Sequence, residues 1–292
     1  MNPAILAMLI TQLIWGLAPV YVRDLSTTIG AADSIIARYT IVSLAYIPLL
    51  YTSKRRVIAR KDWPRLCLAS LIGISGYNIF SSFGFEYVSA GLGGLIIGTQ
   101  PMIIALMGAV FAGETLGKSA IAGLAIAFFG VTLIFWNDLA AGNLGLISGA
   151  LLIFSAGICW AAYVMISRPL IREYGTLSIS AWVSILAAPI LWLMVDGESL
   201  SAWQSMDTNL WFALLYMSFL SNFVAGMCWN YGSARLPASV SGAFIYLVPV
   251  IAVAAGATLR HEIIDPEMIA GGALVLIGVA LAQKPARKAK AS

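Results

Sequence analysis

The chain reads as an all-α polytopic membrane protein, with ten transmembrane helices arranged as two inverted five-helix repeats. Three observations lead there. Of 292 residues, 60% are hydrophobic and only 10% are charged. A soluble domain carries about a quarter charged residues to hold water over its surface. The apolar residues also come in long unbroken runs, which excludes a disordered chain and the short alternating strands of a transmembrane barrel. Finally, the second half of the chain repeats landmarks of the first in the same order.

A bilayer core about 30 Å thick takes about 20 apolar residues per helix. On that measure the spans fall near 3–22, 34–52, 65–86, 89–112, 118–136, 145–167, 178–195, 209–234, 237–259 and 267–283. The first begins at Pro3 with no basic flank and no small-residue cleavage site after it, so it reads as a retained helix. The second ends in a basic loop. The third carries Tyr77, Asn78, Ser81 and Ser82 on one helix face, and the fourth has Pro101 near its centre. The fifth is glycine-rich. Glycine pairs at Gly94/Gly98 and Gly145/Gly149 allow close helix contact. The seventh span leads into an acidic loop, the eighth carries Ser221, Asn222, Trp229 and Asn230, and the ninth has Pro249 near its centre. Residues 1–139 thus form one five-helix unit and 140–283 a second, inverted one. Residues 284–292 are a basic cytoplasmic tail. Cys67, Cys159 and Cys228 sit at no metal-like spacing and read as small core residues.

Lys and Arg accumulate on the cytoplasmic side. Placing the 54–65 loop inside puts both termini inside, along with every basic residue except Arg23, Arg38 and Arg260. Asp196, Glu198 and Asp207 then fall outside. The basic loop is explained by topology and anionic lipid rather than by nucleic acid. Trp63, Trp136, Trp203 and Trp211 read as interfacial anchors.

Internal repetition carries the functional argument. Trp15 and Trp160, Arg23 and Arg168, and Gly30 and Gly175 share one offset. Ala90 and Ala238, Gly94 and Gly242, Pro101 and Pro249, Glu114 and Glu262, Gly123 and Gly271, and Gly130 and Gly278 share another, slightly longer. Because each half has an odd number of spans, the second enters the membrane upside down. Inverted repeats about an axis in the membrane plane are a transporter signature.

Trp15-Gly16, Arg38, Pro101, the Gly113–Leu116 run G-E-T-L, the Trp160–Tyr163 run W-A-A-Y, Trp229-Asn230, Pro249 and Glu262 together resemble an EamA-type transporter of the drug/metabolite transporter superfamily. The later segments are similar to its bacterial aromatic amino-acid exporters. The chain departs at His261, beside Glu262, where the first half has Gly113 beside Glu114. The resemblance implies an inner-membrane transporter acting on small metabolites.

A substrate site in such a protein belongs near the midplane, between the halves. Polar and aromatic residues at that depth need a reason. Trp15, Tyr77, Asn78, Gln100, Trp160, Tyr163, Asn222, Trp229 and Tyr246 are the candidate lining. Pro101 and Pro249, each of which frees a carbonyl one turn back, are candidate hinges. Glu114 and Glu262 read as helix-start carboxylates favoured by orphan N–H groups. Arg38 is read as snorkelling outward from the start of the second span, with Asp33 or a substrate carboxylate as the other candidate partners. No catalytic residue, metal site or cofactor is expected. The only histidine, His261, lies in a short loop, and neither H-E-x-x-H nor a pair of deep aspartates is present, which disfavours an intramembrane enzyme.

The functional expectation is export or exchange of small neutral metabolites, amino acids with aromatic or other apolar side chains among them. Alternating access around a central cavity is the expected route. A multidrug or other metabolite exporter of the same fold is the alternative. No proton relay or sodium site is visible, and the default assembly is a monomer in the lipid bilayer.

Overall fold

The computed structural model describes residues 2–53, 57–112, 118–134, 136, 142–196, 198–236, 241–242 and 244–282. The described residues form helices and connecting turns, with no strand. In chain order the helices are α1 (Pro3–Ile29), α2 (Ala31–Thr52), α3 (Arg60–Phe85), α4 (Ala90–Ile97), α5 (Gln100–Ala112) and α6 (Lys118–Ile134). They continue with α7 (Leu144–Tyr174), α8 (Thr176–Trp192), a short α9 (Ser199–Gln204), α10 (Thr208–Arg235), α11 (Leu247–Arg260) and α12 (Pro266–Ala282). Among the described residues, α1, α2, α3, α7 and α10 are long and apolar enough to cross a membrane, and five shorter apolar helices accompany them. An integral membrane protein of ten apolar helical segments results.

The two halves begin alike. α1 runs on to Ile29 and α7 to Tyr174, each well past the apolar span predicted for it. Each then stops at a glycine, Gly30 at φ 88° and Gly175 at φ 86°. Those dihedrals suit only a residue without Cβ. The glycine turns the chain straight into α2 or α8, with no intervening loop.

The most extensive helix contacts all join one half to the other. α6 packs on α12, α2 on α8, α3 on α7, α4 on α11, and α1 on both α10 and α11. Glycines set the closest of these crossings. A Cβ at Gly130 would meet the Gly271 carbonyl oxygen at 2.7 Å, and one at Gly271 would meet the Gly130 carbonyl oxygen at 2.6 Å. Gly278 sits in the same way against the Gly123 carbonyl. Low-numbered positions of α6 therefore meet high-numbered positions of α12, so the two helices run antiparallel. Without a hydrophobic force between helices in lipid, such backbone approach is what holds them.

Two predicted spans are not continuous. The fourth breaks at Gly98–Thr99 into α4 and α5, and the ninth turns at Ile245–Tyr246 before α11. Pro101 and Pro249 consequently lie in first helical turns, where a missing N–H leaves no bond unmade, and not in mid-helix kinks. The Ile245 carbonyl, expected to be freed, accepts from the Val248 amide at 3.0 Å. Prolines that do interrupt a helix are Pro19, Pro48, Pro169 and Pro189. α3 and α10 each contain a π-helical segment, Ala69–Gly76 and Tyr216–Ala225, which sequence reasoning missed.

Candidate functional site

A cavity of about 110 Å³ opens among α1, α2, α3 and the α4–α5 break on one side and α7, α8, α10 and the Ile245 turn on the other. Both halves contribute to its wall. The π segments supply Gly73 and Ile74 from α3, and Met217, Ser221 and Asn222 from α10. A π turn re-aims side chains by inserting a residue into the helix, and such turns recur at functional sites.

Of the nine candidate lining residues, the structure gathers Trp15, Tyr77, Asn78, Gln100, Trp160, Tyr163 and Asn222 on this one wall. Trp229 stands behind it, its ring 5.3 Å from Trp15 and 5.7 Å from Trp160. It supports the two indoles and does not line the space. Tyr246 is the larger correction. The turn before α11 swings it away, to pack on Ala127 and Val275 of α6 and α12.

An aromatic cluster dominates one side. Trp15 meets Trp160 edge-on at 5.2 Å, and Trp160 also contacts Tyr77 at 5.5 Å and Tyr163 at 5.2 Å. The Trp15 indole donates to the Ser221 carbonyl in the π segment at 3.1 Å, which fixes its ring. The Trp160 N–H has no protein partner although the residue is 8% exposed. On the wall itself, the Asn230 amide donates to the Tyr163 hydroxyl at 3.1 Å and to Ser180 at 2.8 Å.

The opposite side holds what the sequence reading placed elsewhere. Arg38 does not snorkel. It lies about two turns into α2, is 1% exposed and faces the cavity. Its Nη2 donates to Ser82 Oγ at 2.9 Å and to Asn78 Oδ1 at 3.5 Å, and its Nε donates to the Ser34 carbonyl at 3.3 Å. Asn78 is itself held, donating to the Tyr39 hydroxyl and to the Ile74 carbonyl, both at 2.8 Å. Asp33 makes no ion pair with Arg38. Among the described residues no Asp or Glu lines the cavity at all. Tyr39, Tyr46, Ser180 and Ser184, also unforeseen, complete its polar wall. The signal that could have found Arg38 was its place in an apolar span at a helix position facing the Asn78–Ser82 stripe.

Charge is compensated at one end of the bundle instead, where α1, α4 and α11 meet. Glu262 does not cap its own span as expected. It accepts from the backbone amides of Ala90 and Gly91 at 2.8 and 2.9 Å, capping α4, and from Arg23 at 3.2 Å. Asp24 pairs with Arg260 there, and Glu86 caps α2 through the Ala31 amide at 2.9 Å. Glu114, the 54–56 part of the basic loop and the 284–292 tail lie outside the described residues. Arg168 donates to the Leu236 carbonyl at 2.9 Å. Of the interfacial tryptophans, Trp136 and Trp211 are exposed, whereas Trp203 donates to the Asp33 carbonyl and Trp63 packs on Trp182. Cys67 is exposed, not packed in the core, and all three cysteines are free.

The EamA-like transporter family matches the chain twice, over residues 2–136 and 147–283. A relative from Streptantibioticus cattleyicolor, a probable terminal-alkyne amino-acid exporter, is 28% identical over 96% of this chain and 93% of its own. A probable amino-acid metabolite efflux pump of Escherichia coli is 24% identical over 74% of this chain and 77% of its own. A solved crystal structure superposes with a TM-score of 0.66 at 17% identity, over 98% of this chain and 99% of its own, and shares the fold. The chain belongs to the EamA-like transporter family.

Proposed function

We propose, with membership of the EamA-like transporter family as the premise, that this protein exports or exchanges small metabolites, amino acids with aromatic or other apolar side chains among them. The solute binds in the central cavity between the two halves, and access alternates between the faces of the membrane. The observation that carries this reading is the cavity itself, an aromatic and polar space walled by both halves. Relatives named as amino-acid exporters support the solute class.

The antiparallel, reciprocal glycine crossing of α6 and α12 supports inverted repeats, since helices at equivalent places in the two halves then run oppositely. Two such units give two related states, each open to one side. Basic loops favour both termini on the cytoplasmic side of a bacterial cell membrane. The breaks at Gly98–Thr99 and Ile245–Tyr246, each just before a candidate hinge proline, are where α5 and α11 can swing against α4 and the preceding turn. Indole faces of Trp15 and Trp160 suit an apolar side chain, and the polar wall suits its head group.

The test is counterflow in liposomes holding the purified protein, with radiolabelled amino acids and hydrophobic cations as solutes. Saturable exchange of apolar amino acids above empty liposomes is expected, and Trp160→Ala should reduce it. Absence of exchange for every solute would overturn the reading.

A further inference from the structure

We infer that Arg38 is the receptor for a solute carboxylate. The transported class is then apolar carboxylic acids, with the α-ammonium of an amino acid dispensable and organic cations rejected. This rests on the transport reading above and names its substrate class.

Removing a guanidinium from water costs several kcal/mol, and removing a carboxylate partner from such a site is more costly still. Proteins therefore pair buried cations. Arg38, 1% exposed, has only neutral acceptors, and its hydrogen bonds use Nε and Nη2. A guanidinium carries five N–H donors in a planar fork, so Nη1 is left to whatever occupies the cavity. A second observation points the same way. Trp160 and Asn222 both belong to the cavity wall, and the Trp160 indole N–H and the Asn222 amide Nδ2 are buried without a partner among the described residues. Each of these three groups carries N–H donors. Spare N–H donors, one fixed positive charge and no acid on the wall among the described residues, with indole and aliphatic surface around them, complement an anionic acceptor head on an apolar body.

A carboxylate fits, because an ionised acceptor on the free Nη1 makes a charge-assisted bond about twice as strong as a neutral one. A single cation also matches a single negative charge, where a phosphate dianion would call for a second one. An ammonium group finds no acid here among the described residues. It meets only neutral oxygens and aromatic faces, so its loss costs little.

Purified full-length protein, in liposomes preloaded with L-phenylalanine, is offered four external competitors. They are L-phenylalanine, 3-phenylpropionate (no ammonium), L-phenylalaninamide (no carboxylate) and tetraphenylphosphonium. The same panel is titrated against intrinsic tryptophan fluorescence in detergent. 3-Phenylpropionate should compete within about threefold of phenylalanine, while the amide and the phosphonium are weaker by about tenfold or more, as for loss of a charged hydrogen bond. Arg38→Gln should abolish that ranking, and Arg38→Lys, which keeps charge without the fork, should retain part of it. An amide or phosphonium that competes as well as the acid overturns the inference and leaves the transport reading standing. So does a folded Arg38→Gln protein with the wild-type ranking. If wild type exchanges no solute, the transport reading falls, and the fluorescence ranking alone decides whether the carboxylate site exists. If Arg38→Gln fails to fold, the wild-type ranking decides in the same way.

Discussion

Arg23 and Arg38 lie on neighbouring helices of the same half, and their surroundings differ in one respect. Arg23, with 38% of its side chain exposed, has Glu262 at 3.2 Å. Arg38, wholly buried, has hydroxyl, amide and carbonyl oxygens and no acid. A protein built only for stability would place its acid beside the deeper cation, where an unpaired charge is worst. Here the acid sits at the end of the bundle, and the deep cation faces a cavity. Where the chain supplies the counter-charge, the arginine fastens helices. Where it does not, the charge is left for something that comes and goes.

The comparison breaks if the two sites respond alike to neutralisation. Arg38→Met should have the largest effect, lowering exchange of apolar amino acids by about tenfold or more, the scale of a lost charged hydrogen bond. The midpoint of heat unfolding in detergent should not fall, because replacing a buried charge by an apolar side chain is often neutral or stabilising. Glu262→Ala should do the reverse. It strips two α4 amides of their acceptor and unpairs Arg23, at a cost of about 2–3 kcal/mol from a lost cap and a lost charged bond. Its unfolding midpoint should drop, while exchange per folded molecule stays near wild type. A thermally normal Glu262→Ala protein that cannot transport would move the functional charge to the bundle end.

Which of these features the sequence discloses follows from how local each one is. Apolar runs locate the helices because membrane spanning is a property of about 20 consecutive residues. The corner glycines, the Asn78–Ser82 stripe and the paired Trp15 and Trp160 are legible because each repeats in the other half or at helical spacing. Arg38 was misplaced because its depth depends on where α2 begins, at Ala31, and on how α2 is rotated against the α3 stripe, which no local pattern marks. Tyr246 was assigned to the cavity because a continuous ninth span points it inward, and the turn at Ile245 points it away. A proline that looks central in an apolar run can equally open a second helix. The π segments leave no trace in periodicity. Tertiary demands on carbonyls such as Ser221, taken by the Trp15 indole, accompany the wider turn.

A finer test separates the pairs at the bundle end. Arg23→Gln leaves Glu262 with both α4 amides, so only a partly exposed ion pair is lost. With 38% of the Arg23 side chain in solvent, screening holds the cost to about 1 kcal/mol or less. It should therefore lower the unfolding midpoint by clearly less than Glu262→Ala does. An equal drop would mean that the pair, and not the cap, holds α4.

Asp24→Asn should have the smallest effect. Arg260 embraces Asp24 with Nε, at 2.8 Å to Oδ1, and with its Nη2. The two side chains are 40% and 21% exposed, and an exposed pair between α1 and α11 contributes about 0.5 kcal/mol at low salt, fading as ions screen it. Unfolding midpoints of wild type and Asp24→Asn should differ slightly in dilute buffer and converge in concentrated salt. For the cavity the same salt series should show no convergence between wild type and Arg38→Met, because a charge walled off by aromatic rings is screened by its ligand and not by the bulk. If salt erases the Arg38 effect as it erases that of Asp24, the cation is in contact with bulk ions, and its distinction from Arg23 is one of degree.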